Sequence, residues 1–254
     1  MNKQLSQTLS GNAILGAHCL GGRMALAIFD LDNTLIAGDS DHLWGDFLVQ
    51  HNIVDGDQYQ STNDQFYQDY LNGQLDIRAY QRFALKVLTE HPVEQLFQWR
   101  EQFLQDVIMP IMLPQANALL AKHRARGDFL LIITATNDFV AAPIAKLLGV
   151  DHLLATIAEQ ETEQNAEPTN DDSTQRYSGD IRGVPCYREG KVTRLNEWLD
   201  SSGQTLENSY FYSDSHNDLP LLKVVHHAVA VDPDPELKRE ALARGWPVIS
   251  LREV

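Results

Sequence analysis

Residues 25–35 contain the feature that most limits what this chain can fold into. They read Ala-Leu-Ala-Ile-Phe-Asp-Leu-Asp-Asn-Thr-Leu, an apolar run followed by two aspartates two positions apart. An uninterrupted apolar run is typical of a strand buried on both faces of a parallel sheet. Open α/β sheets place their functional residues at the carboxyl ends of such strands. We therefore expect Asp30 and Asp32 to lie beside a crevice at the edge of a parallel sheet.

Asp30 and Asp32 are spaced so that both can act on one ligand. Alternate residues of a strand point to the same side, so both carboxylates would enter the same crevice. Like charges at this separation repel each other unless a cation lies between them, which makes the pair a candidate for Mg²⁺ binding and carboxylate catalysis. An isolated Asp-x-Asp is more often a solvated turn. The rest of the chain has to decide between the two interpretations.

Three later segments place polar residues beside apolar strands or helix starts. Residues 130–133 predict a second strand, which ends at Thr134 before a helix-like pattern resumes. A hydroxyl in that position can bind an anion. Lys191 follows a glycine at the start of an amphipathic stretch, and residues 209–213 predict a strand that leads into the acidic stretch 214–218. Each segment is common alone, but their fixed order is not.

The order Asp-x-Asp, Thr, Lys, Asp-x-x-x-Asp resembles the four motifs of the haloacid dehalogenase-like (HAD) phosphatase superfamily, from about residue 25 to the C-terminus. Residues 29–35, 39–48, 181–186 and 189–192 are similar to subfamily IB. That branch includes phosphoserine phosphatase-like enzymes and proteins described as histidinol-phosphate phosphatases. The resemblance implies an α/β fold in which a Rossmann-like parallel sheet core carries an inserted all-helical cap.

The resemblance also implies a catalytic role for each motif. Asp30 would be the nucleophile that forms an aspartyl-phosphate, and Asp32 would protonate the leaving oxygen and later deprotonate water. Lys191 would offset the charge shared by the nucleophile and the phosphate, while Thr134 and Asn217 would bind the phosphoryl oxygens. The implied activity is hydrolysis of a small organic phosphate monoester.

The implied cofactor is Mg²⁺. Its ligands would be the Asp30 carboxylate, the main-chain carbonyl of Asp32 and Asp214, and Asp218 would orient the outer shell.

Substrate choice depends on Asp39 and on an arginine of the predicted cap. Phosphoserine phosphatases have an acidic residue nine positions after the nucleophile that contacts the substrate amino group, and Asp39 has that offset from Asp30. Residues 73–82 resemble the stretch that carries their carboxylate-binding arginine, so Arg78 or Arg82 would correspond; Arg82 is the candidate we carry forward, although either can equally be a solvated helix charge. Residues 39–42 depart from phosphoserine phosphatase proper. This favours a carboxylate-free substrate such as histidinol phosphate, with phosphoserine as the alternative.

The predicted domain organisation follows from the same patterns. Residues 1–23 predict a disordered N-terminal extension, residues 24–44 and 114–254 the core, and residues 45–113 the helical cap. An acidic loop within the core, residues 158–180, lacks the spacing of either regular element and is expected to be flexible. The segments that flank its centre, 153–157 and 177–184, are expected to pair as a hairpin.

Composition excludes several other classes. A formal charge of −15 argues against nucleic acid or an anionic membrane as a partner. No run approaches the roughly 20 apolar residues of a membrane helix. Two distant cysteines provide no disulfide framework, so we expect a cytoplasmic protein. The oligomeric state stays open.

Other functions remain as alternatives. A phosphotransfer receiver also uses acidic residues, a threonine and a lysine, but is about half this length and has no helical insertion. A phosphonate-cleaving relative would need a cap lysine, and Lys86 is the only one there, in a context that predicts a solvated face. A phosphotransferase or a non-catalytic phosphate-binding module is less favoured, since no motif residue is missing.

Overall fold

A computed structural model describes residues 25–161 and 176–252 of the chain. The predicted N-terminal extension and the centre of the predicted acidic loop, residues 162–175, lie outside the described residues.

The described chain forms a seven-stranded sheet with the order β4-β3-β2-β1-β5-β6-β7. Neighbouring strands are parallel except β3 and β4, which are antiparallel. The strands are β1 (Leu26–Phe29), β2 (Phe129–Asn137), β3 (His152–Glu161), β4 (Arg176–Arg182), β5 (Tyr210–Ser213), β6 (His227–Val231) and β7 (Val248–Ile249). This arrangement confirms the predicted fold class. A hairpin forms as predicted, but its strands extend into the predicted loop 158–180, because residues 158–161 and 176–180 belong to β3 and β4.

Both faces of the sheet are covered, and the central strand β1 is apolar at every position. In β1, Ala27 and Phe29 pack into the core cluster on one face, whereas Leu26 and Ile28 pack into the cluster on the other. The neighbouring β2 alternates in the same way. Strand β1 lies at the centre, and the chain continues to β2 on one side and later to β5 on the other. A crevice therefore opens beyond the carboxyl end of β1, at the topological switch point of the sheet.

Helices fill the chain between β1 and β2. They are α1 (Ser40–Gln50), α2 (Gly56–Leu71), α3 (Ile77–Glu90), α4 (Val93–Phe103), a π-helical turn (Leu104–Ile108), α5 (Met109–Ile111) and α6 (Pro114–Ala125). The Asp39 and Asp76 carboxylates cap α1 and α3 by accepting hydrogen bonds from main-chain amides of the first turn. We retain the helical cap at residues 45–113 as a proposal, and this region contains α2 to α5.

The remaining helices lie between the later strands. They are α7 (Asp138–Leu148), α8 (Glu189–Ser202), a 3₁₀ turn (His216–Asp218), α9 (Leu219–Leu222) and α10 (Pro235–Arg244). Among residues 25–161 and 176–252, no helix combines the length and the apolar character needed to cross a membrane.

Candidate active site

A buried cluster of charges lies where β1 and β5 end. Asp30 follows β1, and its main-chain amide extends the sheet by donating to the Tyr212 carbonyl at 2.9 Å. Lys191 Nζ lies 2.8 Å from Asp30 Oδ1 and 2.7 Å from Asp218 Oδ1, and all three side chains are almost fully buried. Ser213 Oγ donates to Asp218 at 2.7 Å. One ammonium group thus holds two carboxylates that come from distant parts of the sequence.

The electrostatics of this cluster follow from burial and the surplus of negative charge. Burial raises the pKa of Asp30 to about 7, against the attraction of Lys191. Burial disfavours the charged form of Lys191, but the Asp218 and Asp30 carboxylates outweigh it and raise the pKa of that ammonium. Lys191 therefore stays protonated, and Asp30 is a carboxylate with an incompletely neutralised charge.

Lys191 reaches this position because Gly190 precedes it. A side chain at residue 190 would put its Cβ 2.0 Å from the Pro185 carbonyl oxygen, far inside contact distance. The absence of a side chain lets the start of α8 lie against the 185 peptide. In the predicted Gly-Lys pair, the glycine is therefore needed for its lack of a side chain and the lysine for its charge.

Asp32 is held by hydrogen-bond donors rather than by a cation. Its Oδ1 accepts from the Ser40 amide at 2.7 Å, and its Oδ2 accepts from Thr136 Oγ1 at 2.7 Å and from Thr134 Oγ1 at 3.3 Å. Thr134, predicted to bind phosphate, therefore contacts Asp32 in this structure. Thr136 was missed by sequence reasoning, although it lies two positions after Thr134 and alternate strand residues share a face.

Asp214 is another carboxylate close to Asp30. Its Oδ1 accepts from Thr34 Oγ1 at 3.1 Å. Burial raises its pKa well above the usual value, and the Asp30 and Asp218 carboxylates add to the effect. Since Asp30 and Asp214 repel each other and both offer oxygen ligands, this donor set fits a hard divalent cation such as Mg²⁺.

A second group of possible ligands involves residues of α1 and α2. The ligand atoms of His42, Asp46 and Asp64 lie within 4.8 Å of one another. Asp64 is exposed, and the Gln60 amide already donates to both carboxylates. Exposed acidic clusters of this kind are common without a metal, and we assign none here.

The cluster opens into a cavity, of which we distinguish two ends. The strand end is lined by Asp30, Asp32, Lys191 and Asp218, and the helix end by Asp39, Asp41, Phe66, Tyr67 and Tyr80. No arginine is among the described residues that line it.

The helix end has two carboxylates. Asp39 accepts from the His42 amide at 2.9 Å, and Asp41 accepts from Asn137 Nδ2 at 2.7 Å and from Gln81 Nε2 at 3.3 Å. Burial raises the pKa of Asp39 to about 7, and it raises that of Asp41 well above the usual value. Sequence reasoning singled out Asp39 but gave no role to Asp41 or Gln81. Residues 39–42 differ from the corresponding residues of phosphoserine phosphatase proper, and this difference could have pointed to Asp41. Nothing in the sequence indicates a role for Gln81.

Asn217 lies at the cavity but is already hydrogen-bonded to neighbouring elements. Its Nδ2 donates to the Tyr70 carbonyl in α2 at 3.1 Å, and its Oδ1 accepts from the Tyr187 hydroxyl at 3.0 Å. Arg188 also donates to the Gly73 carbonyl at 3.2 Å. The turn after α2 is thereby fastened to the loops that carry the third and fourth motifs.

The structure does not bring Arg82 to the site. Its side chain is 54% exposed and lies 4.0 Å from Asp180 in β4. Arg78, four residues earlier on the same face of α3, donates to the Gly183 carbonyl at 3.0 Å and does not line the cavity either. The prediction that Arg82 binds substrate is corrected on this point, because its face of α3 turns toward β4.

Comparisons with known proteins agree with this geometry. A family model described as haloacid dehalogenase-like hydrolase matches residues 27–223. A histidinol-phosphatase from Neisseria meningitidis serogroup C is 43% identical over 230 residues, covering 89% of this chain and 99% of the relative. A phosphoserine phosphatase from Mycobacterium tuberculosis is 30% identical over 233 residues, covering 90% of this chain and 71% of the relative.

Solved structures share the fold. A protein of unknown function from Bordetella pertussis Tohama I superposes with a TM-score of 0.79 at 43% identity, covering 90% of this chain and 99% of the other. A substrate-bound phosphoserine phosphatase superposes with a TM-score of 0.64 at 16% identity, covering 92% and 96%. The second likeness concerns the fold alone.

Proposed function

Because this chain belongs to the haloacid dehalogenase-like hydrolase family and is a phosphatase of that family, we propose that it hydrolyses a small amine-bearing phosphate monoester with the help of Mg²⁺. The first candidate substrate is histidinol phosphate, and phosphoserine is the alternative. The reaction proceeds through an aspartyl-phosphate at Asp30. We place it in the cytoplasm, as the absence of a disulfide framework suggests.

The observation that carries the proposal is the buried contact of Lys191 with both Asp30 and Asp218. Hydrolysis of a phosphate monoester is extremely slow without a catalyst, largely because an anionic nucleophile must approach an anionic phosphate. A buried ammonium 2.8 Å from Asp30 reduces that repulsion where water cannot screen it. Asp218 and Ser213 hold the ammonium in place.

Asp30 and Asp32 act in both chemical steps of the proposed reaction. An Asp30 carboxylate oxygen forms a bond to phosphorus while the ester P–O bond breaks, and the leaving alkoxide takes a proton from Asp32. Water next attacks the phosphorus, Asp32 takes up its proton, and the products are inorganic phosphate and the Asp30 carboxylate. The Ser40 amide and the Thr136 hydroxyl fix the position of Asp32 in both steps.

The metal site we propose uses the Asp30 and Asp214 carboxylates and the Asp32 main-chain carbonyl. The bound cation would supply electrostatic stabilisation, offsetting the charges of these carboxylates and of the phosphate. Asp218 contributes indirectly, since its side chain holds Lys191.

The charges at the helix end favour a substrate that has an amine but no carboxylate. Asp39 and Asp41 attract cations, and Lys191, the only lysine or arginine among the described lining residues, is already bound to two carboxylates. The carboxylate of phosphoserine would find no partner of opposite charge there. The histidinol-phosphatase relative at 43% identity supports the same choice.

The proposed function is tested with the purified full chain and three substrates: histidinol phosphate, phosphoserine and p-nitrophenyl phosphate. We expect kcat/KM for histidinol phosphate to exceed that for phosphoserine by about tenfold or more, since an unpaired buried carboxylate costs at least that much. EDTA should abolish all three activities and Mg²⁺ should restore them. Equal or higher activity on phosphoserine contradicts the substrate, and full activity after exhaustive chelation contradicts the metal.

A further inference from the structure

We propose that Asp41 is a specificity residue that binds a second basic group on the leaving alcohol, beyond the ammonium bound by Asp39. The inference rests on the proposed function and deepens it. The substrate class it names is phosphate monoesters whose alcohol carries both an ammonium group and a further protonatable base.

Asp41 is a buried carboxylate that has hydrogen bonds but no counter-ion. It is 5% exposed and lines the cavity. Its two oxygens accept from the Asn137 and Gln81 amide groups, which are neutral donors. A buried anion is costly unless a cation neutralises it or it takes up a proton. A cationic ligand in the cavity would supply the missing charge.

The cationic side chains that line the cavity are committed elsewhere. Lys191 is held between the two carboxylates at the strand end. The Nε2 atom of His42, which also lines the cavity, lies 3.6 Å from Asp46 and 3.6 Å from Asp64. Neither Lys191 nor His42 forms an ion pair with Asp41.

A second observation beside Asp41 indicates a missing donor. Gln81 is fully buried, its Nε2 donates to Asp41 and to the Ala135 carbonyl, and its Oε1 has no hydrogen-bond partner among the described residues. Buried amide oxygens are rarely left unsatisfied. The Nδ1 atom of His42, a residue that lines the cavity, is likewise buried without a hydrogen-bond partner among the described residues.

Aromatic rings line the same end of the cavity as the two carboxylates. The rings of Phe66 and Tyr80, with centroids 5.4 Å apart, offer flat apolar surface to a planar cationic ring. Asp39 and Asp41 are two positions apart at the start of α1, and both line the cavity. An ammonium and an imidazolium carried by one alcohol could therefore each reach one carboxylate.

The test compares two phosphates that differ mainly in the second base. Histidinol phosphate carries an ammonium and an imidazole, whereas phenylalaninol phosphate carries the ammonium and a neutral ring. The wild-type kcat/KM should favour histidinol phosphate by about tenfold or more, and Asp41→Asn should reduce this preference to within about twofold. The circular dichroism spectrum of the variant should match that of wild type, which checks that its fold is intact.

Asp57→Asn is the matched control, because it removes the same charge from an exposed position on α2. It should leave the preference unchanged. Equal wild-type rates on the two phosphates, or a preference that survives Asp41→Asn, would overturn the proposal. The wild-type comparison decides the matter even if the variant does not fold.

Calorimetric titration with histidinol, the dephosphorylated alcohol, separates this proposal from the proposed function. Wild-type protein should bind histidinol about tenfold more tightly than phenylalaninol, and Asp41→Asn should abolish the difference. If no phosphate ester were hydrolysed, the proposed function would fail while the titration would still decide whether Asp41 binds the second base. Equal affinities of the wild type for the two alcohols would count against Asp41.

Discussion

At the strand end of the cavity Lys191 lies between Asp30 and Asp218, whereas at the helix end Asp39 and Asp41 have no lysine or arginine beside them among the described lining residues. The two ends therefore solve the problem of buried negative charge differently. The strand end carries its own cation and a donor set that fits a metal. The helix end leaves its charge for a ligand to neutralise. In the function we propose, the first arrangement would serve a step common to any phosphate monoester, and the second would select which ester binds.

The largest effect is expected at the strand end, from Asp30→Asn. The amide has almost the same shape but cannot attack phosphorus, so kcat should fall by about 10⁴-fold or more for every substrate. Rates with histidinol phosphate and p-nitrophenyl phosphate measure this, with the melting temperature as the control for folding. Wild-type-like turnover by the pure variant would remove Asp30 from its role.

Asp32→Asn should have the next largest effect, and its size should depend on the leaving group. Loss of a general acid typically costs about 10²- to 10⁴-fold. Phenolates leave without protonation, so the defect should be smaller for p-nitrophenyl phosphate than for an alkyl phosphate. Steady-state kinetics on both esters provide the comparison. Equal defects would count against Asp32 as the proton donor.

A smaller, pH-dependent effect is expected from Asp39 at the helix end. Because the pKa of its carboxyl is raised to about 7, the group becomes neutral below that pH and no longer attracts an ammonium. The ratio of kcat/KM for phenylalaninol phosphate to that for p-nitrophenyl phosphate should therefore fall as the pH drops through about 7, since kcat/KM reports the free enzyme. Both substrates carry a phosphate group, so taking the ratio cancels the effect of phosphate titration on kcat/KM.

Asp39→Asn supplies the matching control. In this variant the ratio of the two kcat/KM values should be about tenfold lower than in wild type at high pH, and it should no longer change with pH. A pH-dependent ratio that persists in the variant would show that another group reads the amine.

The smallest effect is expected from Arg82→Gln. This arginine is half exposed and only loosely paired with Asp180, and such surface ion pairs contribute little. Values of kcat/KM for histidinol phosphate and phosphoserine should both stay within about twofold of wild type. A selective rise of KM for phosphoserine would place Arg82 at the substrate and weaken the contrast between the two ends.

Much of the strand end could be predicted because its residues directly follow apolar strands or a helix start. Parallel strands end at one edge of a sheet, so Asp30, Asp214 and Asp218 were expected to converge before any contact was known. Lys191 could be found for a similar reason, as the first turn of α8 points back to that edge.

Less of the helix end could be predicted from the sequence. In α3, Tyr80 and Gln81 are buried while Arg78 and Arg82 are exposed, although all four lie within five positions. The apolar residues of α3 recur at helical spacing and share the buried face, so this pattern puts both arginines on the opposite face. The role expected for Arg82 came from the resemblance and disregarded that pattern, whereas the contact between Gln81 and Asp41 had no sequence signal.

The close approach of Gly190 to the Pro185 carbonyl has a consequence for interpreting natural variants. Gly190→Ala would keep every residue of the four motifs, yet its methyl group would overlap a main-chain oxygen and push the start of α8 away. The ammonium of Lys191 would move with it. The protein encoded by such an allele would be expected to lose activity, although an inspection of the motif residues alone would classify the change as harmless.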